Sequence, residues 1–142
     1  DLPLSRGLGD VYKRQVHLEP NNSFIAAGFW NPHKDDLLRL RKEIEQDHEY
    51  FRTQITKSNI HKYWGAIKGD KLKTTPKGFE KGHVANDLLQ FKQYIYSKKI
   101  ADKEIFSEDF DSLLIEHFKS LIPFLDYFGD VLTTDLNGES LI

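Results

Sequence analysis

The stretch that decides the fold is VHLEPNNSFIAAGFW, residues 16–30. Its first residues alternate between apolar and polar side chains, which is the period of a half-buried strand. Residues 20–23 predict a turn, because proline lacks a backbone donor and asparagine tolerates left-handed geometry. Residues 23–30 are apolar on both faces, as in a central or covered strand. Together these segments predict a β-hairpin over residues 16–30.

Two amphipathic helices are predicted, with a further strand between them. Apolar side chains recur at helical spacing over about residues 32–57, either as one helix or as two joined near Asp47. Aromatic side chains alternate over residues 91–99, which predicts a strand. A second apolar stripe covers about residues 107–134, and Pro123 predicts a kink or a break in it because proline removes a helical hydrogen bond. The pattern therefore predicts an α+β fold, with a small antiparallel sheet packed against these helices.

The first fifteen residues, DLPLSRGLGDVYKRQ, show neither a helical nor an alternating period. The string SRGLGDVYKRQ looks like a translated sequencing adaptor, and the alternative is a disordered N-terminal arm. We therefore expect residues 1–15 to lie outside a single α+β domain that covers residues 16–142. Because the hairpin starts abruptly at Val16, and two strands alone are marginal in water, we also expect upstream strands to be missing.

Composition excludes several classes of function. The 142 residues contain no cysteine, which excludes disulfides, thiolate metal sites and a cysteine nucleophile. No apolar run approaches the roughly 20 residues of a membrane helix, so we expect no membrane partner. The formal net charge of -2 gives no reason to expect bulk nucleic-acid binding. The first residues lack the pattern of a secretory signal, and we expect a cytoplasmic protein.

Charge is separated along the chain. Residues 57–99 contain ten lysines and only three carboxylates, whereas residues 107–142 contain eight carboxylates and only one lysine. Either these segments face each other or a shared cleft, or each presents a solvated face of little energetic consequence.

A loop rich in lysine and glycine, GDKLKTTPKGF, covers residues 69–79. Glycines allow backbone N–H groups to point inward, and lysines supply positive charge for a phosphate or a carboxylate. The spacing is not that of a Walker A loop, and the alternative is an ordered loop with solvated lysines. We expect this loop to fold back beside the first hairpin.

A strand-borne pair of polar residues could complete such a site. His17 and Glu19 lie two residues apart and therefore share one face of a strand. They are chemically capable of acid–base work, but nothing marks a nucleophile, so catalytic residues stay unassigned and enzymatic activity stays open. The six histidines show no metal-binding frame, and we predict neither a metal nor a cofactor. The candidate ligand-binding residues are His17, Glu19, Trp30, Lys71, Lys73, Lys77 and Phe79.

Two functions from different classes follow from these patterns. The first is a domain that binds a small anionic ligand through the loop at residues 69–79. The second is a non-catalytic protein-interaction module, in which the acidic segment at residues 107–142 docks on a basic partner or on a second copy. The sequence leaves the oligomeric state open.

Four stretches resemble the domain of unknown function 2461 family, a group of uncharacterised, mostly bacterial proteins. They are VHLEPNNSFIAAGFWNP, DDLLRLRKEI, GDKLKTTPKGFEKGH and FGDVLTTDLNGES. The resemblance implies an α+β domain without an established activity. The family also carries an upstream motif of the form Arg-x-x-Arg-Asp-x-Arg-Phe-x3-Lys-x-Pro-Tyr-Lys, which is absent here. If the family has an anion site, the resemblance implies that those arginines form half of it and that Lys71, Lys73 and Lys77 form the other half.

Overall fold

The computed structural model describes residues 12–141, with side chains from Arg14 onward. This part of the chain contains a three-stranded antiparallel sheet and seven helices, which confirms the predicted α+β fold. Most of the predicted non-domain segment, residues 1–15, lies outside the described residues. No helix among residues 12–141 is long and apolar enough to cross a membrane. The elements are β1 (Tyr12–His17), β2 (Ser23–Phe29), α1 (Lys34–Gln46), α2 (His48–Ile55), α3 (Ser58–Trp64), α4 (Asn86–Leu89), β3 (Tyr94–Ile100), α5 (Asp102–Ile105), α6 (Phe110–Ser120) and α7 (Ile122–Leu132).

The predicted hairpin forms the first two strands of the sheet, in the order β1-β2-β3. β1 starts at Tyr12, four residues before the predicted start, and pairs with β2 in a register that places Val16 opposite Ile25. In the turn, Asn21 has a φ of 62° and Asn22 N–H donates to the Glu19 carbonyl at 2.9 Å. β2 is central, which explains why its sequence is apolar on both faces.

Both predicted helices are interrupted. The first divides at Asp47, whose Oδ1 accepts the Tyr50 N–H at 3.1 Å and so caps α2. The second divides at Leu121, between α6 and α7. Pro123 lies in the first turn of α7, where a missing N–H leaves no hydrogen bond unmade. The proline therefore starts a new helix instead of bending a continuous one.

The core lies between the inner face of the sheet and the helices. Stacked and edge-on aromatic rings join the two layers: Phe29 lies 4.9 Å from Phe128, and Tyr96 lies 5.0 Å from Phe124 between ring centroids. These four side chains are fully buried, as are the inward-facing β2 residues. Burial of this much aromatic surface provides the main stabilisation of the domain and leaves the opposite face of the sheet for other contacts.

Candidate functional site

A cleft of about 810 Å³ covers the outer face of the sheet. Side chains at alternate positions of a strand share one face, so Phe24 and Ala26 of β2 and Ser97 of β3 point into the cleft, away from the core. Helix α3 and the segment that follows it form a side wall. The described lining residues are Gln15, Asn22, Phe24, Ala26, Trp30, His61, Lys62, Tyr63, Trp64, Gly65, Lys68, Ile95, Ser97, Lys98 and Lys99.

The floor of the cleft is low because its central row carries small side chains on β2 and β3. Strand pairing places Ala26 beside Ser97 in this row, and the longer side chain of Gln15 on β1 lies on the other side of Ala26. The larger rings of Phe24 and Trp30 project along β2 on either side of this row. The concavity therefore follows from the order of large and small residues along one strand.

The charge of the lining has one sign. Its four lysines, Lys62, Lys68, Lys98 and Lys99, are accompanied by no carboxylate and no arginine among the described lining residues. None of the four forms an ion pair with a carboxylate of residues 14–141. A concave, partly apolar wall of one charge sign raises the local concentration of counter-ions. The cleft is therefore suited to anions.

Lys68 is the lysine whose position is best defined. Its backbone pairs with Ile95, accepting from the Ile95 N–H at 2.8 Å and donating to the Ile95 carbonyl. Its Nζ donates to the Ser97 carbonyl at 3.1 Å and to Ser97 Oγ at 3.2 Å. Both acceptors are neutral, so the positive charge of Lys68 is held over the sheet without being compensated.

A family model described as "Conserved hypothetical protein (DUF2461)" matches residues 9–127. The chain belongs to this family. The match includes every described residue that lines the cleft and confirms the predicted family. No curated protein and no solved structure matches the DUF2461 chain.

Three predicted site residues of the DUF2461 chain lie on or near the first hairpin. Trp30 lines the cleft and is half-buried. His17 lies on the same face, and its ring stacks on Phe24 with centroids 4.8 Å apart. Glu19 lies beyond the strand, 3.4 Å from His17 Nε2. A hydrogen bond from Asn22, with a smaller contribution from His17, lowers the pKa of Glu19.

The other four predicted residues do not line the cleft. Lys73 and Lys77 are exposed, and Lys71 Nζ lies 4.6 Å from the ring centroid of Phe91. Phe79 is buried in the core, with Lys42 Nζ 4.7 Å from its ring centroid. Their part in binding stays a prediction.

We expected the loop at residues 69–79 to fold back beside the first hairpin, but its start lies beside β3 instead. Lys68 pairs with Ile95 on the side of β3 opposite to β2, and Lys71 pairs with Phe91, just before β3 begins. β3 therefore separates the start of the loop from the hairpin. The physical reason is a close approach: Gly69, with a φ of 158°, passes the Gln93 carbonyl so closely that a Cβ would clash with it.

Ser97 and Lys99 both line the cleft but were not among the candidate residues that the sequence indicated. The alternation of side chains along β3 could have indicated them. Tyr94 and Tyr96 are buried, whereas Ile95, Ser97 and Lys99 occupy the opposite face. That alternation separates the two faces, but it does not show which distant segment borders the outer one. Among residues 14–141, no three or more histidine or acidic side chains are grouped so as to hold a metal ion.

Proposed function

We propose that this DUF2461 chain binds a small anionic ligand in the cleft on the outer face of its sheet. The supporting observation is the lining itself, in which four lysines are unaccompanied by a described carboxylate. A volume of about 810 Å³ falls within the roughly 300–1,000 Å³ of typical small-molecule sites. We assign no reaction to this cleft. A cytoplasmic location and a bacterial source stay predictions.

The anchored ammonium of Lys68 is the centre of this proposed site. A lysine ammonium has three donors, of which two are used by Ser97. The third donor is directed by a side chain that is already ordered, so less conformational entropy is lost when an anion binds. Lys99 lies on the same face of β3, two residues from Ser97, and adds a second positive charge.

Thermal unfolding of the 142-residue chain with inorganic phosphate, pyrophosphate or citrate tests the proposal. A ligand at one hundred times its Kd stabilises the native state by about 2.7 kcal/mol. We expect at least one anion to raise the Tm of the wild-type chain by several degrees. We expect the Lys68→Gln/Lys99→Gln variant to lose this shift.

A matched variant removes the same charge elsewhere. Lys73→Gln/Lys77→Gln neutralises two exposed lysines of the loop and should keep the full shift, because neither lines the cleft. Loss of the shift in this variant alone would move the site to the loop. No shift with any of the three anions would contradict anion binding.

A second candidate function is a protein-interaction module. Helix α3 packs on α6 through aromatic contacts, with Trp64 5.7 Å from His117 and 5.8 Å from Phe118 between ring centroids. No ion pair joins residues 57–99 to residues 107–141, so both sets of charges remain available to a partner.

Size-exclusion chromatography at low and high salt tests this alternative. Charge-driven self-association should give a dimer at about 0.01 M salt that dissociates near 1 M, where the Debye length falls to about 3 Å. Asp111→Asn/Glu116→Gln, which neutralises two exposed carboxylates of α6, should weaken it. A monomer at both salt concentrations would exclude self-association through these segments.

A further inference from the structure

The cleft carries planar side chains in addition to charge. Trp30 and Tyr63 are both half-buried and line the cleft, one from the end of β2 and one from α3. Trp64 also borders the cleft, but its side chain is buried in the core. Its Nε1 donates at 3.0 Å to both the His117 carbonyl and Ser120 Oγ. Trp30 therefore keeps ring surface that a ligand can cover. The ring of Tyr63 is more occupied, because it lies 4.8 Å from the His117 ring between centroids and has Lys62 Nζ 5.4 Å from its centroid.

Stacking already occurs at one end of the same face. The ring of His17 lies 4.8 Å from that of Phe24, with an interplanar angle of 22°. No such ring covers Trp30 among the described aromatic contacts. A planar ligand group beside Trp30 would occupy an equivalent position on this face.

The anion-binding groups are of a kind that binds phosphate. Lysine binds phosphate as a compact point charge, and the described lining has four lysines. Ser97 Oγ accepts from Lys68, which leaves its own hydrogen free to donate to an anion. An ammonium and a hydroxyl donor thus meet at one point of the cleft.

We infer, on the basis of the proposed anion binding, that the ligand is a phosphate ester joined to a planar ring, of the size of a nucleoside monophosphate. The phosphate binds Lys68 and Ser97, with Lys99 as the second cation. The ring stacks on Trp30, with Tyr63 on the side wall. The apolar floor at Ala26 contacts the linking group.

Calorimetric titration with four probes separates the contribution of the anionic group to the affinity from the contribution of the planar ring. Inorganic phosphate and ribose 5-phosphate carry the anion without the ring, adenosine carries the ring without the anion, and adenosine 5′-monophosphate carries both. Because a base stacked on an aromatic side chain contributes a large share of affinity, we expect the monophosphate to bind at least about tenfold tighter than ribose 5-phosphate. Adenosine should bind far more weakly than the monophosphate.

Two variants assign each part of the ligand. Trp30→Leu should abolish the tenfold higher affinity for adenosine 5′-monophosphate than for ribose 5-phosphate, while ribose 5-phosphate still binds. Tyr63→Leu, which should reduce the same affinity ratio, serves as the second variant in case Trp30→Leu does not fold. Lys68→Gln should weaken both phosphates at least about tenfold, and the matched control Lys77→Gln should change neither.

The results distinguish binding of a ring-bearing phosphate from binding of an anion in general. Equal affinity for the monophosphate and ribose 5-phosphate, or binding of citrate alone, would overturn the ring-bearing phosphate and leave anion binding intact. Absence of binding by phosphate, both phosphate esters and citrate would overturn the proposed function as well. A ring advantage that persists in Trp30→Leu and Tyr63→Leu would place the stacking site elsewhere.

Discussion

Gly28 sets the path of the central strand beneath the cleft. Its φ of 143° is a conformation that residues with a side chain rarely adopt, and a Cβ there would clash with the Tyr94 carbonyl of β3. Strands β2 and β3 can approach at this point only because the residue has no side chain. The position illustrates how one residue determines the spacing of two elements.

We expect Gly28→Ala to lower the free energy of unfolding by about 3 kcal/mol or more, because backbone strain and a backbone clash add together. Urea denaturation measures the change. The matched control is Gly78→Ala, at a φ of 90° with no atom within 4 Å of the added Cβ, which should cost about 1–2 kcal/mol. Equal costs for both variants would show that the close approach to Tyr94 is not tight.

His117 makes the stability of the domain depend on pH. Burial lowers the pKa of His117, the positive charge of Lys98 adds to this, and the hydrogen bond with the Leu113 carbonyl opposes it. Glu104 and Glu116 also oppose it. Because the pKa is lower in the folded state, the unfolded chain takes up the proton first as the pH falls.

We therefore expect the free energy of unfolding to decrease as the pH falls below roughly 6.5, the ordinary pKa of histidine, toward the lower folded value. His117→Gln should flatten this part of a stability–pH profile recorded by urea denaturation. His33→Gln, at an exposed histidine, should leave the profile unchanged. A profile of the same slope in His117→Gln would assign the effect to other groups.

At the scale of elements, the break between α1 and α2 depends on a single cap. Asp47 Oδ1 accepts the Tyr50 N–H at 3.1 Å and so satisfies a donor that the first turn of α2 leaves unpaired. We expect Asp47→Ala to lower the free energy of unfolding by about 1 kcal/mol. Asp126→Ala, at an exposed carboxylate within α7, should stay within about 0.5 kcal/mol of wild type in the same chemical denaturation. Equal effects would mean that the cap contributes nothing.

Elements with a clear period were predicted well, and the segment without one was not. The hairpin, the strand near residue 94 and the interruptions at Asp47 and before Pro123 all follow from local patterns. Residues 68–72 have no strand period, yet Lys68 pairs with β3 by donating to the Ile95 carbonyl. Leu72 donates to the carbonyl of Gln90, which precedes β3. This pairing depends on an open edge of β3, which no local pattern of residues 68–72 encodes.

At the scale of the whole molecule, the proposed attraction of an anion depends on the positive charge of the cleft lining more than on the formal net charge of -2. The lysines that line the cleft are not opposed by a described lining carboxylate, whereas the acidic residues of α6 and α7 are distributed over other surfaces. We expect the affinity for inorganic phosphate to fall at least about tenfold between about 0.01 M and about 1 M salt, because the Debye length shortens from about 30 Å to about 3 Å.

Titration at both salt concentrations checks this expectation, with chloride as the common anion. Lys68→Gln/Lys99→Gln should reduce the salt dependence, because fewer charges contribute to attraction. The control Lys73→Gln/Lys77→Gln should retain the wild-type dependence. Salt-independent affinity would indicate that phosphate binds through neutral donors instead of the lysines.

The sequence by itself determined the fold class, the family and most element types, because alternation and helical spacing are local properties of neighbouring residues. It also named Trp30 as a candidate ligand-binding residue, and Trp30 lines the cleft. Only the tertiary structure decided that Lys68 meets Ser97, 29 positions away, and that Phe79 belongs to the core. Strand register and helix docking bring distant faces together, and that choice depends on the packing of the whole chain and not on any local period.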